Sequence, residues 1–275
     1  MTTTLSISLV VYRQELPILR DTLASLRGAL ERARGDGLLD EAVIDLVDNG
    51  TEDETALDNL VREETAGLPW TRLHLIRGQG NVGYGRGHNL AILSSEATYH
   101  LVLNPDVIVT PDAITEAIRF LHANPDVGLV APDVHDPAGA RQYLCKRYPT
   151  VFVLFLRGFA PGPLRRLFRS YMEAYEMRSV IGETVVKGIP LVSGCFMFAR
   201  LAGLRAVGGF SPDYFLYFED YDLSLRFGRR STLAFVPTVR VTHSGGYTAG
   251  KGRRHVLLFV RAAATFFRTH GWKFA

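Results

Sequence analysis

The chain of 275 residues has only two cysteines, Cys145 and Cys195, far apart and in no CxxC or other metal-binding spacing. That excludes a disulfide-stapled scaffold and a cysteine zinc site, and it fits a reduced, intracellular protein. Long apolar runs are also missing. The longest, residues 151–156 and 256–260, fall far short of the roughly 18 residues that span a bilayer. Residues 1–12 lack a basic n-region and run straight into a strand-like segment, so no signal peptide is expected. The net charge is only +3, too small by itself to indicate a nucleic-acid partner. There is no internal repeat and no low-complexity linker. What is present is 47% hydrophobic and 21% charged residues, the balance of a folded chain able to bury a sizeable core.

The first half alternates strand and helix patterns. Strands are expected at residues 6–12, 43–47, 73–76 and 101–103. A helix opens at Pro17 with Leu16, Leu19, Leu23, Leu26 and Leu30 spaced by three and four. Shorter helices are expected around 57–61 and 89–93, and Thr110-Pro111 starts another with Ile114, Ala117, Ile118 and Leu121 inward. This order implies an α/β fold with a mainly parallel sheet flanked by helices, whose ligands lie at the carboxyl ends of the strands. Asp48, Asn81 and Asp106 fall just past such ends and are expected to converge. The second half is less regular. Residues 151–180 are apolar and basic, interrupted by Pro161-Gly162-Pro163. Residues 189–199 read as strand, Gly208-Gly209 as a turn, and 221–227 as the start of a helix. Residues 233–241 form a strand in which Pro237 suits an edge or a bend. The chain from 251 onward looks helical.

Gly78-Gln79-Gly80-Asn81-Val82-Gly83 matches the dinucleotide fingerprint G-x-G-x-x-G, with Asp106 about 20 residues on. The fingerprint belongs to the first strand–helix turn, however, and here that turn is Val11-Tyr12-Arg13-Gln14-Glu15, without glycine. The stretch reads better as a glycine-relaxed loop that lets backbone and Arg86 approach a diphosphate.

Four segments in order carry a more specific signal: Val47-Asp48-Asn49-Gly50-Thr51; Asn81 through Asn89; Leu103-Asn104-Pro105-Asp106-Val107; and Gly208-Gly209-Phe210 leading to Tyr217-Phe218-Glu219-Asp220-Tyr221-Asp222-Leu223. With His243 they resemble the family 2 glycosyltransferases of the GT-A fold over residues 5 to about 245. The Asn-Pro-Asp and Glu-Asp-x-Asp-Leu forms are similar to the rhamnosyltransferase-like branch of bacterial surface-polysaccharide assembly. That resemblance implies a single domain, 1–275: a nucleotide-sugar-binding half at 1–110, an acceptor-side half at 111–248, and a helical tail at 249–275.

The chemistry asked of each residue is simple. Asp106 can hold Mg²⁺ or Mn²⁺ against a donor diphosphate. The resemblance puts it at the last position of the family's DxD motif, with uncharged Asn104 at the first, and gives His243 a metal or phosphate contact. The local alternative for Asn-Pro-Asp is a plain turn. Asp48 is expected to accept from the imide N–H of uracil or thymine, or else to close an Asx turn. The resemblance also implies that Val11, Tyr12 and Arg13 line the donor end, with Tyr12 stacking on the base and Arg13 or Arg86 neutralising phosphate. Asn81, Gly83, Arg86 and Asn89 complete the donor-binding set. The resemblance makes Asp220 the general base of an inverting transfer, beside Glu219, which orients the acceptor or takes the base role itself. Asp222 caps the helix or pairs with Arg226, four residues on. Cys195 reads as a small core residue.

Two segments pair bulky apolar residues with cations: Phe152, Phe155, Phe159, Leu164, Leu167 and Phe168 beside Arg157, Arg165, Arg166 and Arg169; and Val256, Leu257, Phe259, Phe266, Phe267 and Trp272 beside Lys251, Arg253, Arg254, Arg261, Arg268 and Lys273. They suit either an anionic membrane interface or packing on the domain or on a second copy in a homodimer. The expected partners are a dTDP- or UDP-sugar donor and a saccharide or polyprenyl-diphosphate-linked acceptor, met in the cytoplasm or at the inner face of the cell membrane. A nucleotidyltransferase of the same fold would need a Gly-rich, basic loop after the first strand, which residues 11–17 lack. A non-catalytic nucleotide-sugar-binding subunit is the remaining rival.

Overall fold

The strand–helix alternation of the first half forms β1 (Thr4–Val11), α1 (Leu16–Gly35), β2 (Glu41–Asp48), α2 (Glu54–Thr65), β3 (Thr71–Ile76), α3 (Tyr84–Ser94) and β4 (Tyr99–Leu103) in a computed structural model that describes residues 2–245 and 252–275. β1 pairs in parallel with β2 and β4, and β2 with β3. Every residue of β1 after Thr4 is buried, as a strand covered on both faces requires. β5 (Val107–Val109), α4 (Ala113–Ala123), β6 (Val127–His135) and β7 (Arg141–Gln142) follow. Pro161 and Gly162 break the apolar, basic stretch into α5 (Val151–Gly158), α6 (Gly162–Leu167) and α7 (Arg169–Tyr175). Then come β8 (Val186–Lys187), β9 (Phe196–Arg200), α8 (Leu201–Ala206), α9 (Glu219–Gly228), β10 (Thr232–His243) and α10 (Arg253–His270). Of the tail expected from 249 on, residues 249–251 lie outside the described ones, and Lys251 with them.

One 10-stranded sheet runs β3-β2-β1-β4-β9-β6-β10-β5, with β7 beside β6 and β8 beside β10. The β3-β2-β1-β4 part is parallel, as is β6 with β10, while β9 enters antiparallel between β4 and β6. The strand expected over 189–199 is shorter than that, because Pro190 and Gly194 interrupt it and leave one bridge, Lys146 to Leu191, before β9. Pro237 sits in a register shift of β10 between Val236 and Arg240, where a residue without N–H costs no ladder bond. β10 is flanked on both sides, so the bend reading of Pro237 holds and the edge reading does not.

Successive residues of the central strands feed opposite cores. Leu101 and Leu103 pack with α1, α2 and α4, whereas Val102 joins Phe210 and Phe227 on the other face. A third cluster, wholly apolar and aromatic, holds Tyr214, Phe218, Phe266 and Phe267 and docks α10 beside α9.

Two register facts place the site. β4 ends opposite the start of β9, Leu103 against Phe196, so Asn104 lies beside Cys195 and its N–H donates to the Cys195 carbonyl at 2.9 Å. β5 runs antiparallel to the end of β10, Val107 against His243, which carries His243 to Asp106.

Candidate active site

At the end of β2, Asp48 closes a turn. Its Oδ1 accepts from the N–H groups of Gly50 and Thr51 at 3.0 and 2.8 Å, and its Oδ2 accepts from Arg77 Nε at 3.0 Å. Burial alone would raise its pKa, but the donors from Gly50, Thr51 and Arg77 outweigh that and hold it below the usual carboxylate range. The Asx-turn reading therefore describes the local role of Asp48. Its side chain is 3% exposed and both oxygens are taken. Arg77, which no motif singled out, locks this turn and also reaches Asp58 at 2.7 Å. The Tyr12 ring, 49% exposed, stands over Gly50, and Arg13 lies 5.6 Å from that ring's centroid with a left-handed φ of 49°. Val11 is fully buried and its carbonyl accepts from Asn49, so its side chain cannot reach a ligand.

The glycine-rich loop is tied down by its own polar groups. Asn81 Oδ1 accepts from the N–H of Gly83 at 3.0 Å, and Asn49 Nδ2 donates to the carbonyl of Gly83 at 3.1 Å. Gly83 has φ 89°, and a Cβ there would collide with the Phe215 carbonyl oxygen. Gly83→Ala is accordingly expected to cost about 2 kcal/mol or more, seen as a lower thermal midpoint; an unchanged melting curve would contradict the packing described. Two expected donor ligands are turned elsewhere. Arg86 donates to the Pro212 carbonyl, and Asn89 brackets Phe210, accepting from its N–H and donating to its carbonyl at 2.8 Å each. Arg86 thereby holds the Pro212 backbone, and Asn89 braces the Gly208-Gly209-Phe210 turn.

Asp106 and His243 meet at 3.5 Å, Oδ1 to Nε2. Gln142 sets the imidazole: its Nε2 donates to the His243 carbonyl at 2.9 Å, which leaves its Oε1, 3.3 Å from Nδ1, to accept the ring proton. Nε2 is then left as a lone pair turned toward a carboxylate, an arrangement that suits a cation between them. Gly245 backs the pair, since a Cβ there would collide with Asp106 Oδ2. Among the described residues no group of three or more His, Cys, Asp or Glu is disposed to hold a metal. A divalent ion here would take these two ligands and fill its remaining positions from substrate phosphate and water, as Mg²⁺ and Mn²⁺ sites commonly do.

Tyr84, at the start of α3, joins this corner to the second one. Its hydroxyl lies 3.0 Å from Asn104 Oδ1 and 2.6 Å from the Gly194 carbonyl, while the Gly194 N–H donates to Asp220 Oδ2 at 3.0 Å. A continuous polar path thus runs Asn104–Tyr84–Gly194–Asp220. Burial first, then the neighbouring acidic groups Glu219, Cys195, Asp220 and Asp106, push the Tyr84 phenol well above its ordinary value, so it stays protonated. Cys195 is buried, which pushes its thiol up to about 12 and leaves it a core residue.

Asp220 and Glu219 differ in their surroundings. Asp220 is partly buried and accepts two backbone N–H bonds, from Gly194 and from Tyr221 at 2.8 Å. Glu219 is buried, and its Oε2 has no hydrogen-bond partner. Burial raises both carboxyls; the Asp220 charge raises Glu219 further, to about 8, while the backbone donors restrain Asp220 to about 6. The pair's shared proton therefore rests on Glu219, and Asp220 is the ionised member near neutral pH. Both follow Tyr217 and Phe218, two aromatics held in the left-handed region at φ 72° and 65°. Asp222 pairs with Arg226 at 2.7 Å and also with His270 of α10 at 2.8 Å. Arg226 in turn donates to the carbonyls of Val207 and Gly209, so this cluster is a clasp and not a reacting group.

A carboxylate–imidazole corner, a helix start with paired carboxylates and an open aromatic past the first strand thus occur together in this α/β fold. Residues 6–183 match the family model "Glycosyl transferase family 2", and the chain belongs to that family. The N-acetylglucosaminyl-diphospho-decaprenol L-rhamnosyltransferase of Mycobacterium tuberculosis is 27% identical over 265 residues, which cover 91% of this chain and 79% of that protein. Rhamnosyltransferase WbbL of Escherichia coli strain K12 is 26% identical over 176 residues, 60% of this chain and 61% of its own. Two solved structures share the fold at TM-score 0.62: GalNAc-T7 with UDP, GalNAc and Mn²⁺, at 13% identity over 90% of this chain, and the mannosyltransferase PcManGT of Pyrobaculum calidifontis with GDP-Man and Mn²⁺, at 18% over 98%. This chain spans 44% of the first solved chain and 65% of the second.

Proposed function

We propose that the protein is a metal-dependent inverting glycosyltransferase that moves L-rhamnose from dTDP-L-rhamnose to a lipid-linked saccharide in cell-surface polysaccharide assembly. The observation that supports the reading is the run of polar contacts Asn104–Tyr84–Gly194–Asp220, which links the residues assigned here to the donor corner and to the base. The choice of sugar and acceptor follows the names of the Mycobacterium and Escherichia relatives.

The steps assigned to this chain are few. Tyr12 offers its open ring to the base of the nucleotide, over the turn that Asp48 and Arg77 hold. Asp106 and His243 would hold a divalent ion, which when bound supplies Lewis-acid neutralisation of the donor diphosphate. Asp220 takes the proton of the acceptor hydroxyl as that oxygen attacks the anomeric carbon. The bond from that carbon to the diphosphate breaks in the same displacement, the nucleoside diphosphate leaves with the bonding pair, and the configuration inverts. Glu219, carrying the proton, donates a hydrogen bond toward the acceptor.

The pH dependence follows from the sign of the Asp220 shift. The base works only when ionised, and burial raises it to about 6. The rate of transfer is expected to be highest near pH 7 and to fall as the pH drops through about 6, measured as kcat/KM at saturating metal. A flat profile down to pH 4.5 would remove Asp220 from the base role.

No described helix is long and apolar enough to cross a membrane. Phe155, Phe159 and Leu167 of α5 and α6, with Val256, Leu257 and Val260 of α10, are exposed beside Arg157, Arg165, Arg166, Arg254 and Arg261. We assign these two mixed segments to peripheral contact with the inner leaflet, where a lipid-linked acceptor resides. Phe266 and Phe267 of the same helix are buried, so packing on the domain accounts for the rest of α10.

The reading is tested by donor turnover across dTDP-rhamnose, UDP-hexoses and GDP-mannose, with Mn²⁺ or Mg²⁺ against EDTA. Turnover of dTDP-rhamnose that EDTA abolishes is the expected result. Turnover of a UDP- or GDP-sugar instead would change the donor, and binding without turnover of any donor would leave a nucleotide-sugar-binding subunit.

A further inference from the structure

Glu176, at the end of α7, is 9% exposed and carries three cations. Lys146 Nζ lies 3.5 Å from its Oε1, Arg157 is on the same oxygen, and Arg178 is 2.6 Å from Oε2. Among the described residues these cations have no other acidic partner, so the cluster holds two positive charges in excess. Lys146 is itself only 5% exposed, whereas the side chains of Arg157 and Arg178 remain 40% and 44% accessible. Burying an ammonium beside two guanidiniums for one carboxylate opposes folding unless another anion uses the field.

The cluster adjoins the base. Tyr221 follows Asp220, and its hydroxyl lies 3.0 Å from that of Tyr175, whose ring has Lys146 Nζ at 5.7 Å and Arg157 Cζ at 5.6 Å from its centroid. The backbone of Lys146 also bridges to Leu191, on the segment whose Gly194 holds Asp220. On the helix that carries Arg157, Phe155 and Phe159 are 44% and 54% exposed. A cationic cluster, the carboxylate assigned as base and open aromatics therefore occur together.

We propose that Lys146, Arg157 and Arg178 form an acceptor subsite for the diphosphate of a lipid-linked sugar, with Phe155 and Phe159 meeting the start of its apolar tail. This deepens, and rests on, the glycosyl-transfer reading above. Guanidiniums suit the role, because their forked donors match phosphate oxygens and stay charged at any working pH. Burial first, then the charge of Arg157, lower Lys146 to about 8 against the pull of Glu176, the mark of a pocket with surplus positive charge. Tyr175 and Tyr221 form the wall between the subsite and Asp220.

The test compares two acceptors with the donor fixed: N-acetylglucosaminyl diphosphate on a short prenyl chain, and an alkyl N-acetylglucosaminide without the diphosphate. The wild-type enzyme is expected to prefer the first by tenfold or more in kcat/KM. Arg157→Gln and Arg178→Gln should each shrink that preference through KM, and the double variant should abolish it. Inorganic pyrophosphate should compete with the first acceptor in the wild type but not in the double variant. Arg157→Lys should restore part of the preference, which a variant that merely misfolds would not show. Equal use of the two acceptors by the wild type, or a preference kept by the double variant, overturns the subsite and leaves the transferase reading intact. If the wild type transfers to neither acceptor, the transferase reading fails instead. The subsite is then decided by equilibrium binding of the prenyl diphosphate sugar, and equal affinity in wild type and double variant overturns it.

Discussion

Asp220→Asn is expected to lower kcat by about 10²–10⁴, the usual worth of a positioned general base, while the dissociation constant for dTDP stays within about twofold, since the altered atom lies across the site from the donor corner. Both Asp220 oxygens accept from backbone N–H groups, so the amide nitrogen of the variant must face one of them. That mismatch costs about 1–3 kcal/mol of stability, and a thermal melt beside the kinetics separates this loss from the loss of the base. The neighbouring exchange sharpens the result. Glu219 already carries the shared proton, held there by burial and by the Asp220 charge. Glu219→Gln therefore retains most of the activity, because an amide resembles a protonated carboxyl. If Glu219→Gln proved the more damaging of the two, the base would have to be reassigned.

The second large effect concerns the metal corner. In the wild type Mn²⁺ should tighten dTDP binding over that in EDTA by tenfold or more, through a carboxylate that the ion can bridge to phosphate. Asp106→Ala is expected to erase that difference while leaving the metal-free affinity in place. His243→Ala should reduce it only in part, because imidazole is the weaker ligand for a hard cation. Calorimetric titration of dTDP with and without Mn²⁺ measures both. An Asp106→Ala protein with the full metal response would move the ion elsewhere.

The strand ends were readable in advance because apolar runs and turn residues are local signals. Asp106 sits where the β4 pattern stops, and His243 where the β10 pattern stops. What local pattern cannot supply is the partner. Asp48 reads equally as turn-former or base ligand until Arg77 arrives from β3 to fill its second oxygen. Arg86 and Asn89 stand in a suggestive motif, yet Pro212 and Phe210, more than 100 residues on, claim their side chains. Tyr84 lay within that motif with no role assigned, and its place between Asn104 and Gly194 depends on β9 entering the sheet antiparallel. His270 as a partner of Asp222 was likewise hidden by 48 intervening residues. The family resemblance favours Asp220 over Glu219 as the base, but the physical difference between the two adjacent carboxyls, burial and backbone donors, has no local signal.

Tyr217 and Phe218 hold left-handed backbone at a cost of order 1–3 kcal/mol each, and Phe218 is kept there by packing on Phe259 and Phe266 of α10. The order of synthesis gives this a consequence. The strands that form the donor corner leave the ribosome before α10 exists, and domains assemble as their segments emerge. The strand ends can thus form early, but the left-handed turn before Asp220 lacks its packing until α10 docks.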